Sequence, residues 1–293
     1  MYEPDVTIIT PTSNIVENEQ ADDFTLLINL LDKQTYPQIE HIIIDNASSD
    51  GTEILLKEYK NSGFISFFSE PDRGKFDAMN KGLLRAKGKY VAFLSCDDFY
   101  QDITAIAGIV EAMEENEADF CYFPAYCCPP DGYVFEFTPA ILNTFQVSPC
   151  ARQALFFKKS VLSELRGFDE KFKLLADYDL IIRLVMGGYN GILYDKNIVT
   201  YKLGKQVSKY SSQVEAECNH IFYKNYKPLY PLTNEQLDRM VNLSEIPRPL
   251  LDKLANIFPD EYRDLFFERY EQMYNMRVEN ARALREQERR NRY

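Results

Sequence analysis

Acidic side chains follow several of the predicted strands of this chain, at the points where those strands end. Four turns come directly after strand-like apolar runs: Pro11-Thr12, Asp45-Asn46, Glu70-Pro71-Asp72-Arg73 and Ser95-Cys96-Asp97-Asp98. Ligands of open α/β sheets bind beyond the carboxyl ends of the strands. Carboxylate oxygens bind hard divalent cations, and such a cation lets an acidic protein hold a phosphorylated molecule. These turns are therefore the candidate functional positions.

The elements that position these turns alternate along the first 127 residues. The strand-like runs are Val6–Thr10, Ile39–Ile44, Phe64–Phe68, Tyr90–Leu94 and Asp119–Tyr126, and the helical patterns between them are Phe24–Leu31, Thr52–Tyr59, Phe76–Ala86 and Ile103–Glu115. Strands that alternate with helices of this length predict a mostly parallel sheet with helices on both faces. We therefore expect an α/β fold.

The pattern changes after residue 127. Further strands are predicted at Tyr133–Thr138, Ala154–Phe157 and Gly191–Tyr201, with a helix at Ala176–Met186, and the later pattern is helical only. We expect an α/β domain over residues 1–205 and a helical C-terminal extension over residues 206–293.

Composition limits the possible functions. The 293 residues are 45% hydrophobic and carry a formal net charge of −12, so the chain has the composition of a globular protein and lacks the basic balance of a nucleic-acid binder. No apolar run of transmembrane length and no signal peptide is recognisable. The six cysteines lack zinc-site spacing and are expected to be reduced thiols, which predicts a cytoplasmic protein.

The turn sequences carry a family resemblance. Asp45 to Thr52 (DNASSDGT), Glu70 to Gly82 (EPDRGKFDAMNKG) and Leu94 to Asp98 (LSCDD) follow Val6–Thr12 in an order and spacing that resemble the GT-A glycosyltransferases of family 2 over roughly residues 4–205. These are inverting enzymes that use nucleotide sugars. The resemblance implies a GT-A (Rossmann-like) fold with a nucleotide-binding half at 1–127 and an acceptor half at 128–205.

The resemblance also implies roles for individual residues on the donor side. Asp45 would accept a hydrogen bond from the base, which favours a UDP-sugar, and Asp98 would bind a divalent cation, Mn²⁺ or Mg²⁺. Asp97 would contact the ribose or a water on the metal. The other residues implied in nucleotide-sugar binding are Pro11, Thr12, Arg73 and Lys81. Ser95 stands where many relatives carry a further aspartate, so a site of three aspartates is not expected.

On the acceptor side, the resemblance makes Asp177 the general base that takes a proton from the attacking hydroxyl. Ala176 replaces the acidic residue that precedes this base in the family pattern. Arg152 and Gln153 stand where relatives often show His-Gln, and they are expected to line the acceptor or donor-sugar side.

Other interpretations of these residues stay open at this point. Asp97-Asp98 also suits a helix N-cap, Asp45 an Asx turn, and Asp177 and Asp179 both suit the first turn of a helix. His41, inside a strand, is expected to be a core residue, and His220 receives no role.

The functional expectation is a metal-dependent inverting glycosyltransferase that moves a sugar to a hydroxyl of a glycan or a lipid-linked acceptor in bacterial polysaccharide assembly. A catalytically degenerate module with a binding role is the first alternative. A sugar nucleotidyltransferase is the weaker one, because it would need a Gly-rich loop where Pro11-Thr12-Ser13-Asn14 stands.

The tail has two interpretations of similar weight. Tyr262, Leu265, Phe266 and Met273 form a stripe that would pack on the core or on a second subunit. Residues 276–293 hold six Arg and three Glu, which would suit contact with the inner face of the cell membrane. No nucleic-acid partner is expected.

Overall fold

This computed structural model describes residues 5–130, 132–203 and 211–290. The strands are β1 Val6–Thr12, β2 Ile39–Asp45, β3 Ser66–Ser69, β4 Tyr90–Phe93, β5 Phe99–Tyr100, β6 Phe120–Tyr122, β7 Ala125–Cys128, β8 Phe135–Phe137, β9 Leu155–Lys158, β10 Gly191–Leu193 and β11 Val199–Lys202. The α-helices are α1 Ala21–Asp32, α2 Thr52–Asn61, α3 Lys75–Arg85, α4 Ala105–Glu115, α5 Lys159–Glu164, α6 Ala176–Met186, α7 Ser211–Tyr226, α8 Asn234–Leu243, α9 Arg248–Ala255 and α10 Arg263–Arg290.

A seven-stranded sheet forms the centre of the α/β part, in the order β10-β6-β9-β4-β1-β2-β3. Only β9 runs antiparallel to its neighbours β4 and β6 within this sheet, so the prediction of a mostly parallel central sheet is confirmed. The carboxyl ends of β1, β2, β3 and β4 therefore lie along one edge, and that edge carries all four predicted turns.

A second sheet begins immediately after the paired aspartates. Its order is β5-β11-β7-β8, and β5 starts at Phe99, the residue after Asp98. Within it Thr200 is paired with Phe99 on one side and with Tyr126 on the other. The turn at residues 94–98 thus connects the central sheet to the second sheet.

Two predicted strands are each divided between these sheets. The run Asp119–Tyr126 forms β6 in the central sheet and β7 in the second sheet, and Gly191–Tyr201 is divided in the same way into β10 and β11. Pro124, which has no N–H to donate to a ladder, stands between β6 and β7. The apolar pattern is the same in both sheets, so it does not mark where the chain passes from one to the other.

The core of the α/β part consists of aliphatic and aromatic side chains from the sheets and from α1 and α4. One cluster includes Val6, Ile8, Tyr90, Ile106 and Phe156, each at most 1% exposed. His41 belongs to the interior, as predicted: its ring is buried, its Nε2 lies 2.9 Å from the Thr10 hydroxyl, and burial lowers its pKa to about 3.

Contacts divide the chain into two compact units. Unit 1 comprises Met1–Pro139, Cys150–Leu180 and Tyr189–Val207, and unit 2 comprises Ala140–Pro149, Ile181–Gly188 and Ser208–Tyr293. This division differs from the predicted boundary at residue 205 because two short internal segments belong to the C-terminal unit. Unit 1 also includes parts of both predicted halves, 1–127 and 128–205.

A cluster of aromatic rings in edge-to-face and tilted contact lies within unit 2. Phe145 contacts Tyr226, Phe258 and Phe266 with ring centroids 5.7–6.2 Å apart. A capping box starts α8: Thr233 Oγ1 accepts from the Gln236 N–H, and Gln236 Oε1 accepts from the Thr233 N–H. Among the residues described, no helix combines the length and apolarity needed to cross a membrane.

The predicted tail stripe is buried only in part within this chain. Phe266 is buried and Met273 half-buried, but Tyr262 and Leu265 are exposed. Tyr262 precedes α10 in a short 3-10 turn, so it does not continue the helical spacing on which the stripe was based.

Candidate active site

The exits of β1 and β2 meet at a buried carboxylate. Asp45 has no exposed surface, and its two oxygens accept hydrogen bonds from the hydroxyls of Thr12, Ser48 and Ser69 at 2.5–3.0 Å and from the Ser48 N–H at 3.0 Å. Thr12 is buried beside it and Pro11 is partly exposed. These four donors occupy both oxygens of Asp45, so a base would have to displace one of them.

The basic side chains in and after the turn at residues 70–74 are paired with carboxylates. The Arg73 side chain is 73% exposed, and its guanidinium forms ion pairs with Asp77 and Glu170. Lys81 donates to the Pro71 carbonyl at 2.7 Å and lies 3.6 Å from Asp77. Arg73 and Lys81 pair with different oxygens of Asp77, so both predicted binding cations are partly neutralised.

The two neighbouring aspartates that follow β4 differ in burial. Asp98 is 1% exposed: its Oδ2 accepts from the Ser95 N–H at 2.6 Å and lies 3.6 Å from the Arg152 guanidinium, while its Oδ1 accepts from Gln153 Nε2 at 3.2 Å. Asp97 is partly exposed. Arg152 is itself buried and donates to the Phe93 carbonyl and the Ser95 hydroxyl, both at 2.9 Å.

This geometry is at odds with the prediction that Asp98 binds the cation. Both of its oxygens are engaged and its charge is balanced by Arg152. Of the pair, Asp97 is the carboxylate that retains exposed surface. Arg152 and Gln153, predicted on the acceptor side, act here on Asp98.

The electrostatic surroundings of Asp97 suit a bound cation. Burial, followed by the neighbouring Asp98 carboxylate and then Asp23, raises the pKa of Asp97, whereas Lys202 opposes that shift. Lys202 also forms a 2.6 Å ion pair with Asp23. Within the described ranges no three His, Cys, Asp or Glu side chains are grouped to hold a metal. A Mg²⁺-type ion needs only one or two carboxylates when phosphates and waters complete its coordination, so Asp97 fits this role.

Asp177 lies in the first turn of α6. It is partly exposed, and its Oδ1 accepts from the Tyr178 N–H at 2.9 Å. Ala176, which replaces the family acid, is fully buried. Cys150 lies near it: burial, and then the Asp177 charge, raise the pKa of the Cys150 thiol. Asp179 is fully buried, so Asp177 is the more accessible of the two acids.

Several residues of this region were missed by sequence reasoning. Ser48 and Ser69 complete the shell of Asp45, and Asp77, Asn80 and Glu170 organise the turn around Arg73. The four-residue spacings from Arg73 to Asp77 and from Asp77 to Lys81 were a usable signal for ion pairs on a helix. Glu170 had no such signal, because it is 97 residues from Arg73.

The helical unit 2 contains a cavity of about 520 Å³ lined by Asn219, His220, Tyr223, Asn234, Leu237 and Asp238. None of these is a predicted site residue. His220 lines this cavity of unit 2, and it receives no role in the proposed chemistry.

Residues 7–167 match the sequence profile of glycosyl transferase family 2. The match covers more than half of the chain and includes the turns after β1, β2 and β4. The chain therefore belongs to glycosyl transferase family 2 and is a glycosyltransferase, as the motifs predicted.

Two curated relatives illustrate the range of the family. An uncharacterized glycosyltransferase of Mycobacterium tuberculosis is 30% identical over 190 residues, which are 62% of this chain and 70% of the relative. The hyaluronan synthase of Pasteurella multocida is 27% identical over 212 residues, which are 66% of this chain but 22% of that larger protein.

Solved structures share the fold at low sequence identity. Residues 1–349 of TarS from S. aureus, in complex with UDP-GlcNAc, align with a TM-score of 0.62 and 15% identity over 95% of this chain and 91% of that chain. The mannosyltransferase PcManGT from Pyrobaculum calidifontis, in complex with GDP-Man and Mn²⁺, aligns with a TM-score of 0.59 and 18% identity over 97% of this chain and 76% of that one.

Proposed function

We propose that this glycosyltransferase transfers a sugar from a nucleotide sugar to a hydroxyl of a glycan or lipid-linked acceptor, with inversion at the anomeric carbon. The main support comes from the two aspartates that follow β4: Asp98 is paired with Arg152, and Asp97 stays partly exposed. An accessible carboxylate at the carboxyl end of a central strand suits a phosphorylated donor with its cation. The structural relatives in complex with UDP-GlcNAc and GDP-Man add support for this donor class.

Asp177 is the general base of this proposal. Its carboxylate takes the proton from the acceptor hydroxyl while that oxygen forms a bond to the anomeric carbon. The bond from the anomeric carbon to the diphosphate breaks at the same time, and the nucleoside diphosphate leaves with the bonding electrons. Attack from the face opposite the leaving group inverts the configuration.

The remaining residues bind and orient the donor. Asp97 would hold a divalent cation, which when bound neutralises the negative charge of the leaving diphosphate. Arg73 belongs to the turn at residues 70–74, here called the donor turn, and Lys81 donates to the Pro71 carbonyl of that turn. Phosphate oxygens would compete with Asp77 and Glu170 for these two cations. Thr12, Ser48 and Ser69 fix Asp45, which favours recognition of a uracil-type base edge through exchange of one hydroxyl.

The first experiment identifies the donor. Thermal denaturation with UDP-, GDP- and dTDP-sugars, each with and without Mn²⁺, should show the largest stabilisation for the true donor, about 2.7 kcal/mol at a hundredfold excess over Kd. A UDP-sugar with Mn²⁺ is the expected result.

The decisive variant is Asp177→Asn. We expect transfer to fall by about 10²–10⁴-fold, because the amide does not accept the proton, while calorimetric Kd for the nucleotide stays within about threefold. Asp179→Asn serves as the neighbouring acid control for stability. Undiminished transfer by Asp177→Asn would reject Asp177 as base, and absence of transfer by the unmodified protein with every donor would favour the degenerate binding module.

A further inference from the structure

Asn80, on α3, pairs with the chain segment that leads to Asp177. Its Oδ1 accepts from the Phe168 N–H at 2.9 Å, and its Nδ2 donates to the Phe168 carbonyl at 2.9 Å and to Glu170 Oε1 at 3.1 Å. One carboxamide thus satisfies both backbone groups of Phe168. The segment at 167–170 is thereby attached to the helix that follows the donor turn.

The approach of the two segments requires glycine at position 167. Gly167 has φ +62°, and a Cβ added to it would overlap Oδ1 of Asn80. A side chain here would be strained by the backbone and would also push the segment away from Asn80.

The same segment also packs against β4, the strand that precedes Asp97. The Phe168 ring is buried, with centroids 5.1 Å from that of Phe76 and 5.0 Å from that of Phe93. Phe93 is the last residue of β4, four positions before Asp97. Phe168 therefore contacts the helix that follows the turn at residues 70–74 and the strand that precedes Asp97, the proposed cation ligand.

Two further contacts connect the segment with the donor turn itself. Glu170 forms an ion pair with Arg73, and Lys173 Nζ donates to the Arg73 carbonyl at 3.1 Å. Glu170 therefore receives hydrogen bonds from Asn80 and from Arg73 at its two oxygens. Asp177 follows Glu170 by seven residues, so the position of its helix start depends on where this segment is held.

We propose that Asn80 is a positioning residue, which holds the segment at 167–170 so that Asp177 is aligned with the sugar of a donor bound at the turn of residues 70–74. This inference rests on the proposed function, because it gives Asp177 the role of base. Asn80 touches neither donor nor acceptor in this proposal and acts through Asp177.

The carboxamide is needed because it donates and accepts at one terminus. An ionised carboxylate of the same shape only accepts, so it would repel the Phe168 carbonyl and Glu170, whereas a protonated carboxyl regains a donor. Of the charged groups, Glu170 contacts Asn80 directly and is paired in turn with Arg73. Asn80→Asp therefore keeps the size of the side chain but removes both hydrogen bonds that Asn80 donates.

The test compares Asn80→Asp, Asn80→Ala and the exposed control Asn61→Asp. We expect both substitutions at position 80 to lower kcat by about 10–100-fold, with Kd for the nucleotide sugar within about threefold, since misplacement of a catalytic group affects the chemical step. Asn61→Asp should leave both kcat and Kd unchanged, because residue 61 is exposed at the end of α2.

Each outcome has a distinct meaning. If kcat of Asn80→Asp and Asn80→Ala stays at the unmodified level, or if only the Kd of the nucleotide sugar increases, the inference is overturned and the proposed function stands. If Asn80→Asp does not fold, the kcat and Kd of Asn80→Ala decide. An unmodified protein that transfers no sugar rejects the proposed function and the inference with it.

Discussion

At the residue scale, the main feature of the site is the difference in burial and pairing between two adjacent aspartates. Asp98 is enclosed by Arg152, Gln153 and the Ser95 N–H, whereas Asp97 keeps access to solvent. A buried ion pair of this kind adds little net stability over an apolar pair, but the loss of one partner leaves an uncompensated charge. The pair therefore serves to hold the turn in place more than to stabilise the fold.

This leads to a stability prediction for the pair. Arg152→Met should lower the free energy of unfolding by about 3–5 kcal/mol, and adding Asp98→Asn should restore more than half of that loss, because the amide oxygen still accepts from the Ser95 N–H. Urea denaturation measures both changes. Lys57→Met, which breaks the exposed ion pair with Glu53, is the control and should change the free energy by less than about 1 kcal/mol. Additive losses in the double variant would contradict the pairing.

The sequence supplied the residue types of this site but not their accessibility. Asp97 and Asp98 are adjacent residues of the same type. Their exposure differs because β5 starts at Phe99, so Asp98 directly precedes a strand of the second sheet and is buried. Arg152 is 54 positions along the chain, so no local pattern connects the two. By contrast, His41 was predictable as an interior residue because β-branched apolar residues follow it within one strand.

At the element scale, close backbone packing controls how the strands meet. Gly88 lies in the turn between α3 and β4, where an added Cβ would stand 2.7 Å from the Thr7 nitrogen and 2.8 Å from the Val6 carbonyl carbon. The Gly88 N–H also donates to the Thr7 hydroxyl at 2.9 Å. This contact sets the start of β4 beside β1, and thereby the position of the turn at its other end.

Gly88→Ala is therefore expected to reduce stability. The methyl group would meet backbone atoms that do not move freely, so the free energy of unfolding should fall by about 1–3 kcal/mol, with lower donor affinity as the β4 exit shifts. Denaturant midpoints and calorimetry check the two effects. The exposed neighbour Lys87→Ala is the matched control, and equal stability of the two variants would show that the backbone at residue 88 has room to adjust.

The order and type of the first elements followed from periodicity, whereas their assignment to sheets did not. Helices and strands up to β4 lie within a few residues of the predicted ranges, because each has its own apolar period and a Gly or polar end. Periodicity does not show that the runs at 119–126 and 191–201 are each divided between two sheets. Pairing partners such as Thr200 and Tyr126 are chosen by long-range contacts that the local pattern does not encode.

At the scale of the whole molecule, the negative net charge is unevenly distributed. The last eighteen residues hold an excess of three positive charges within a chain of net charge −12. In α10, the side chains from Arg282 to Gln287 are all exposed, including Leu284 at 61%. Self-association and contact with an anionic membrane both remain consistent with this composition.

Deletion of the residues after Ala281 separates folding from association. Because the described side chains removed are exposed, the free energy of unfolding should change by less than about 0.5 kcal/mol. Sedimentation velocity and flotation with anionic vesicles, performed on the full and shortened chains, then report the role of the tail. A loss of self-association favours subunit packing, a loss of flotation favours membrane contact, and a large loss of stability would contradict the exposed position.

The enclosed pair Arg152 and Asp98 also bears on how this sequence can diverge. Each residue is tolerated inside the protein only because the other is present, so a change at either position first passes through a variant with an unpaired interior charge. Such positions show epistasis: the fitness of a substitution at 98 depends on the residue at 152. In a library that varies both codons freely, functional clones should therefore contain matched combinations, with charge at both positions or at neither.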